Sequence, residues 1–149
     1  TPRELLDLIS HELPYFKDSS LKRVEIDRIL ELVGLHEYSD VKVGKLSKGM
    51  IQRLSVAQAL FGSPEILILD EPTANIDQRL EGEIFDLLQR LNERLTILVV
   101  SHDVAFISHY VKRVACVSGT LVCHHTDEVD GAVIQELYGE HVRMIAHAH

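Results

Sequence analysis

Acidic and imidazole side chains follow two apolar runs of the sequence. Asp70 and Glu71 come directly after residues 66–69, and His102 comes shortly after residues 96–100. Ligands collect at the carboxyl ends of the strands in a parallel sheet, so these side chains are expected to face one site. The first acid could hold Mg²⁺ through water while the second polarises an attacking water. The alternative interpretation of the paired acids is a loop that caps the following helix.

A second candidate site is the start of a helical pattern at Ser47. Apolar residues at helical spacing follow this serine, which can therefore serve as the N-cap. A serine hydroxyl and the free amides of a first helical turn form an anion site, which favours phosphate binding at residues 47–49. Asp77 stands in the corresponding position before the next helical pattern, and we expect it to cap that helix.

The elements that position these residues indicate an α/β fold. A capping box at Thr1 and Glu4 opens a first helix, and a second helical pattern ends at Gly34. After the helix that begins at Ser47, the order is strand, helix, strand and short helix, which is typical of a parallel sheet. The unbroken apolar character of both strands predicts that each is covered on both faces. A hairpin over residues 113–123, a helix over 130–138 and a strand over 141–145 are predicted to follow.

Composition narrows the classes of protein that fit. The 149 residues are 46% hydrophobic and 26% charged, which is a globular composition. A formal net charge of −8 works against a broad nucleic-acid surface. The sequence has neither a long apolar run nor a signal-peptide pattern, and its two cysteines could form at most one disulfide. We therefore expect a soluble cytosolic chain with reduced thiols.

The segments 46–50, 66–73, 74–77 and 101–103 occur in the order and at roughly the spacing of ATP-binding cassette ATPases, which the chain resembles over essentially its whole length. The resemblance implies a P-loop NTPase-like, RecA-type α/β core with an α-helical subdomain. The chain would hold the helical subdomain at 1–63 and the C-terminal half of the core, with an incomplete sheet, at 64–149. Residue by residue, the resemblance assigns Ser47, Lys48 and Gly49 to the signature motif, Asp70 and Glu71 to Walker B, Asp77 to the D-loop and His102 to the switch histidine.

The resemblance also implies a mechanism and its partners. The cofactors would be ATP and Mg²⁺, with Asp70 holding Mg²⁺ through water, Glu71 polarising the attacking water and His102 contacting the γ-phosphate. The helix start at 47–49 would close over the triphosphate of a second nucleotide-binding subunit. A membrane permease subunit and, indirectly, an extracytoplasmic substrate-binding protein are implied, but no nucleic acid. The implied location is the cytoplasmic side of the membrane.

Two departures from the family pattern limit these expectations. Lys48 and Met50 replace a glycine and the glutamine of the usual LSGGQ signature. No GxxxxGK followed by Ser or Thr is present, since Gly44 and Gly49 have the right separation but Met50-Ile51 follows. We therefore expect a fragment that is inactive by itself and that exposes apolar sheet edges.

Histidines are concentrated near the C-terminal end. Six of the nine are His109, His124, His125, His141, His147 and His149, with Cys116 and Cys123 nearby. His124, His125, His147 and His149 are candidate metal ligands, although their spacing is not that of a zinc finger and a solvated tail is the alternative. The terminal stretch has a looser resemblance to the ATPases of manganese and zinc importers, which suggests divalent metal import. The alternatives are a non-transport cassette ATPase and a metal-sensing module without catalysis.

Overall fold

The computed structural model describes residues 1–11, 18–74, 76–101, 110–118 and 120–126. Its contacts group the chain into two compact units, Thr1–Ser101 and His102–His149. The boundary predicted between residues 63 and 64 falls inside the first unit. The assignment of a helical subdomain and a half-core to its two sides stays a prediction.

Two helices open the first unit. Helix α1 spans Pro2–His11 and helix α2 spans Ser19–Leu32. The predicted capping box is present, because the Glu4 amide donates to Thr1 Oγ1 at 3.3 Å and the terminal ammonium donates to Glu4 Oε2 at 2.8 Å. Gly34 adopts a φ of 69° after α2, which confirms the predicted helix end. Two 3₁₀ turns, His36–Tyr38 and Val43–Lys45, lead to the next helix.

Helix α3 and a strand–helix–strand motif complete the first unit of the chain. Helix α3, Lys48–Ala59, is followed by strand β1, Ile66–Asp70, by helix α4, Gln78–Asn92, and by strand β2, Thr96–Val100. The strands pair in parallel, from Ile66 opposite Thr96 to Asp70 opposite Val100. Both strands therefore end at the same edge, and the predicted parallel α/β arrangement with an incomplete sheet is confirmed.

The core of this unit lies where the helices meet each other and one face of the sheet. Apolar side chains on one face of α4 are buried, and they pack with side chains from α1 to α3 and from β1. The members include Leu6, Ile26, Ile29, Leu30, Val33, Leu54, Val56, Leu67, Ile84, Phe85, Leu87 and Leu88. Most of these positions follow the helical spacing that the sequence shows.

The other face of the two-stranded sheet is exposed. Ile66 and Ile68 of β1 are 61% and 65% exposed, and Leu98 and Val100 of β2 are 49% and 50% exposed. The prediction that both strands are covered on two faces is therefore wrong for the residues that the structure describes. The continuous apolar pattern arose because both faces carry apolar residues, although only the face that includes Leu67 is packed.

The second unit contains the predicted hairpin. Strand β3, Arg113–Ser118, pairs antiparallel with strand β4, Thr120–His125, with Arg113 opposite His125 and Ser118 opposite Thr120. The short helix predicted after β2, the helix predicted over 130–138 and the strand predicted over 141–145 lie outside the described residues. Within the described ranges, no helix has the length and hydropathy needed to cross a bilayer.

Candidate functional site

Glu71 joins the carboxyl ends of the two parallel strands. Its amide donates to the carbonyl of Val100 at 2.8 Å, and Ser101 Oγ donates to its Oε2 at 3.3 Å. Its carbonyl accepts from the amide of Ala74 at 3.1 Å, which turns the chain away from the sheet. The predicted catalytic acid therefore contacts the residue that immediately precedes His102.

The backbone of Glu71 is in the left-handed region, with a φ of 46°. This conformation costs a residue with a side chain roughly 1–2 kcal/mol. The two backbone hydrogen bonds, to Val100 and from Ala74, hold it in place. Such conformations are maintained by the surrounding structure and cluster at functional sites, so the half-buried carboxylate of Glu71 is held at the strand end by the fold itself.

Asp70 is the last residue of β1 and lies opposite Val100 in the register. It is exposed, on the same face of the sheet as Ile66 and Ile68. Among the described residues, no group of three or more His, Cys, Asp or Glu side chains could hold a metal ion by itself. One accessible carboxylate fits Mg²⁺, which is usually bound by one or two carboxylates together with waters and substrate phosphates.

Ser47 caps helix α3 as predicted. Its Oγ accepts from the amide of Met50 at 3.2 Å, and its carbonyl accepts from the amide of Ile51 at 2.9 Å. The amides of Lys48 and Gly49 belong to the first turn, where a helix supplies no carbonyl partner. The hydroxyl of Ser47 can still donate its own proton while it accepts. This helix start, with the exposed Lys48 beside it, can therefore offer amide, hydroxyl and ammonium donors to an anion.

Gly49 packs the start of α3 against the first turn of α4. A β-carbon placed on Gly49 would lie 3.3 Å from Cδ2 of Leu80, and the glycine itself is buried. Asp77 caps α4, since its Oδ1 accepts from the amide of Leu80 at 3.1 Å. The structure thus places the capped starts of α3 and α4 side by side, and the predicted cap at Asp77 is confirmed.

Several contacts around this site were not anticipated from the sequence. Ser101 bonds to Glu71, Thr73 Oγ1 donates to Glu81 Oε1 at 2.7 Å, and Arg53 pairs with Glu83 at 3.1 Å. A hydroxyl residue directly after an apolar run is a signal that could have pointed to Ser101. The other two contacts join positions whose sequence neighbours give no sign of the pairing.

The remaining predicted site residues belong to the second unit of the chain. His102, His147 and His149 lie outside the described residues, so their predicted roles stay predictions. His124 and His125 are neighbours on β4, where successive side chains point to opposite faces. Cys123 of the same strand is an exposed free thiol. Metal binding by these histidines stays a prediction.

Comparison with known proteins identifies relatives of this chain. A family model described as ABC transporter matches residues 4–74. A Chlamydia pneumoniae protein named "Probable metal transport system ATP-binding protein" is 44% identical over 96 residues, which cover 64% of this chain and 39% of that protein. A methionine import ATP-binding protein of Enterococcus faecalis is 38% identical over 112 residues, covering 74% and 32%. A zinc import ATP-binding protein of Brucella melitensis is 35% identical over 108 residues, covering 71% and 36%.

Other relatives are named for phosphonate import and for lipoprotein release. Among solved structures, cbiO1 from Clostridium perfringens, part of the cbiONQ ABC transporter complex, matches with a TM-score of 0.78 at 26% identity, over 91% of this chain and 55% of that one. The ADP conformation of an ATP-binding cassette of an ABC transporter matches with a TM-score of 0.73 at 24% identity, over 94% and 63%. The chain spans between about a third and two fifths of the length of the three curated relatives described above.

Proposed function

We propose that this chain, which belongs to the ATP-binding cassette transporter family, forms part of a subunit that binds and hydrolyses ATP to power transport across a membrane. The observation that carries this proposal is the contact between Glu71 and Ser101, which joins the carboxyl ends of β1 and β2. It brings the acid expected to act on water to the strand end that leads into His102. Ligand chemistry in parallel α/β folds takes place at such an edge.

Each described residue of the site has a role in this proposal. Glu71 would accept a proton from the attacking water or polarise it, since its carboxylate is held at the strand end. Asp70 would hold Mg²⁺ through water, as its exposed carboxylate allows. Ser47, Lys48 and Gly49 would donate to the γ-phosphate bound by a second subunit. Mg²⁺, when bound, would neutralise part of the phosphate charge. Asp77 would fix the loop between β1 and α4.

The test is steady-state ATP hydrolysis by the full-length gene product. Glu71→Gln removes the acid–base function at constant shape, and we expect turnover to fall by at least about 100-fold. Glu65→Gln is the matched control, because this substitution makes the same chemical change at an exposed residue directly before β1, at the other end of the strand. We expect this control to keep turnover within about twofold, in line with the small effects of most surface substitutions. Turnover by Glu71→Gln equal to that of the control would reject the proposal.

The proposed assembly is the one that the family resemblance implies. A second ATP-binding subunit would complete each site, with the exposed helix start at Ser47 facing the nucleotide held at Asp70 and Glu71 of the other subunit. The subunits would bind a membrane permease on the cytoplasmic side of the membrane, with a substrate-binding protein acting on the other side. No nucleic acid is part of the proposal, in line with the net charge of −8.

Import of a divalent metal ion, with zinc and manganese as the candidates, is the more specific form of this proposal. It is supported by the names of the Chlamydia pneumoniae and Brucella melitensis relatives. Methionine import is the second candidate, because the Enterococcus faecalis relative carries that name. Deleting the gene and measuring growth distinguishes them: rescue by added zinc or manganese supports metal import, whereas rescue by methionine alone supports the alternative.

Metal binding by His124, His125, His147 and His149 is a separate proposal, supported by the number of imidazoles near the C-terminal end. Zn²⁺ binding is to be measured on the chain and on a version that ends after Ile145. Weaker binding by the shortened version is expected if His147 and His149 contribute. Equal binding by both would exclude those two residues as ligands.

A further inference from the structure

Arg53 of α3 pairs with α4 and lies close to the chain just beyond the end of α2. Its Nη2 lies 3.1 Å from Oε2 of Glu83 in α4. Its Nη1 lies 3.1 Å from the place that a β-carbon on Gly34 would occupy, at the end of α2. The side chain of Arg53 is only 22% exposed. The guanidinium therefore fills the junction of α2, α3 and α4, where an ion pair is screened less than at the open surface.

The contacts between α3 and α4 occur in the same order on both helices. Gly49 meets Leu80, and one turn further along each helix Arg53 meets Glu83. The two helices consequently run in the same direction past each other at this contact. Their starts, capped by Ser47 and Asp77, lie at the same end.

The first of these contacts is not directional. Gly49 has no side chain, so this residue can meet Leu80 only through its backbone atoms. Arg53 provides a directional contact one turn later, because a guanidinium binds a carboxylate with defined geometry. The pairing of Arg53 with Glu83 thus adds a directional constraint to the apolar packing that places α3 beside α4.

We propose that Arg53 is a positioning residue, which fixes the start of α3 through Glu83 so that Ser47, Lys48 and Gly49 are presented to the γ-phosphate of the opposite subunit. This inference rests on the proposed function for its link to phosphate. Arg53 touches no nucleotide in this account and acts only through the helix that it holds. Sites that bind a transition state require their groups to be held within roughly 0.5 Å, and a directional ion pair one turn after the helix start adds such a constraint to the apolar packing of α3.

Arg79 supplies a matched control. Its Nη1 pairs with Oε1 of the same Glu83 at 3.1 Å, but it lies on the same helix four residues earlier and is 78% exposed. Removing Arg79 takes one partner from the Glu83 carboxylate without touching the contact between α3 and α4. Arg53→Ala and Arg79→Ala therefore delete the same side chain type from the same carboxylate and differ in whether a link between helices is lost.

The kinetic test compares these variants in the full-length gene product. Arg53→Ala is expected to lower kcat for ATP hydrolysis about tenfold, in the range caused by a misplacement of a fraction of an ångström to one ångström. The KM for ATP should change by less than about twofold, because Arg53 acts after nucleotide has bound. Arg79→Ala should leave both constants within about twofold. Equal kcat values for the two variants would overturn the proposal.

Reversal of the charges separates positioning from general stability. Arg53→Glu combined with Glu83→Arg restores an ion pair between the helices, and the pair is placed in an Arg79→Ala background to remove the like charge beside position 83. We expect this triple variant to regain at least about half of the kcat that Arg53→Glu alone loses. Failure to regain kcat while the variant unfolds at the same temperature as the wild type would show that the ion pair is not what positions the helix.

A nucleotide-free measurement keeps the failure of this inference distinct from that of the proposed function. Amide hydrogen exchange at residues 50–53 is expected to become at least about threefold faster in Arg53→Ala and to stay unchanged in Arg79→Ala. Unchanged exchange in Arg53→Ala overturns the positioning role whatever the ATPase result. Faster exchange in a protein whose wild type hydrolyses no ATP supports the positioning of α3 and rejects its link to the γ-phosphate.

Discussion

At the scale of the residue, three glycines differ in backbone conformation and in the space around them, so replacing each by alanine should have a different cost. Gly34 has a φ of 69° and Arg53 Nη1 lies 3.1 Å from its missing β-carbon. Gly62 has a φ of 77° with no atom within 4 Å of that position, and Gly44 has neither feature. Gly34 is thus a left-handed glycine in a crowded place, Gly62 is a left-handed glycine in open space, and Gly44 has neither constraint.

Alanine substitution at these glycines is expected to lower the free energy of unfolding in the order Gly34, Gly62, Gly44. The left-handed conformation should cost about 1–2 kcal/mol at Gly34 and Gly62, with an added steric cost at Gly34. Gly44→Ala should change stability by less than about 0.5 kcal/mol. Urea denaturation of the three variants measures these differences. An effect at Gly44 equal to that at Gly34 would contradict the assignment.

At the scale of the element, each described helix begins with a side chain that accepts an amide proton. Thr1, Asp18, Ser47 and Asp77 have this role for α1 to α4. Asp18 differs because the hydrogen bond from the Ser20 hydroxyl, and then the one from the Ser20 amide, lower the pKa of its carboxyl below the ordinary 3.8. The cap of α2 is therefore a pH-sensitive element.

Acid should weaken the cap at Asp18 in a defined direction. Because the pKa is lower in the folded state than in the unfolded state, the carboxylate stabilises the fold above pH 3.8, and this contribution is lost as pH falls through the lowered value. Asp18→Asn keeps an acceptor at the cap but does not titrate. Urea denaturation of both proteins from pH 6 to pH 2 measures the effect. We expect the unfolding midpoint of the wild type to fall more than that of Asp18→Asn at the acidic end.

Ser20→Ala is the control for the cause of this pH dependence. It removes the hydroxyl donor that contributes most to the lowered pKa of Asp18. We therefore compare Ser20→Ala with the double variant Ser20→Ala/Asp18→Asn. The difference between their unfolding midpoints that acid induces should be smaller than the difference between wild type and Asp18→Asn. An undiminished difference would show that another group sets the pKa of Asp18.

Local signals explain how much of the fold and site could be predicted. The caps at Ser47 and Asp77, the end at Gly34, the parallel strands and the hairpin each depend on residue types within a few positions, and the structure confirms them. The contacts of Glu71 with Ser101 and of Arg53 with Glu83 each join residues 30 positions apart. Such pairings depend on the packing of whole elements, which no local pattern of a single sequence specifies.

At the scale of the whole molecule, the outer face of the β1–β2 sheet sets the behaviour of the chain in solution. Four apolar side chains on two adjacent strands are each about half or more exposed: Ile66, Ile68, Leu98 and Val100. Exposed apolar surface of this kind favours association, and each strand of a two-stranded sheet also has an outer edge with unpaired backbone groups. We therefore expect the 149-residue chain to self-associate through this face.

Lysine substitution on the face tests this expectation. Ile68→Lys and Leu98→Lys each remove an aliphatic side chain whose full burial contributes roughly 1.5–3 kcal/mol and add a charge. Reaching the same degree of association should then require a concentration about tenfold higher or more, as measured by sedimentation velocity. Val24→Lys is the control, since Val24 is 66% exposed and belongs to helix α2 rather than to the sheet. If Val24→Lys raises the required concentration as much as Ile68→Lys does, association depends on net charge rather than on the sheet face. If the wild-type chain remains monomeric at high concentration, the face does not drive association.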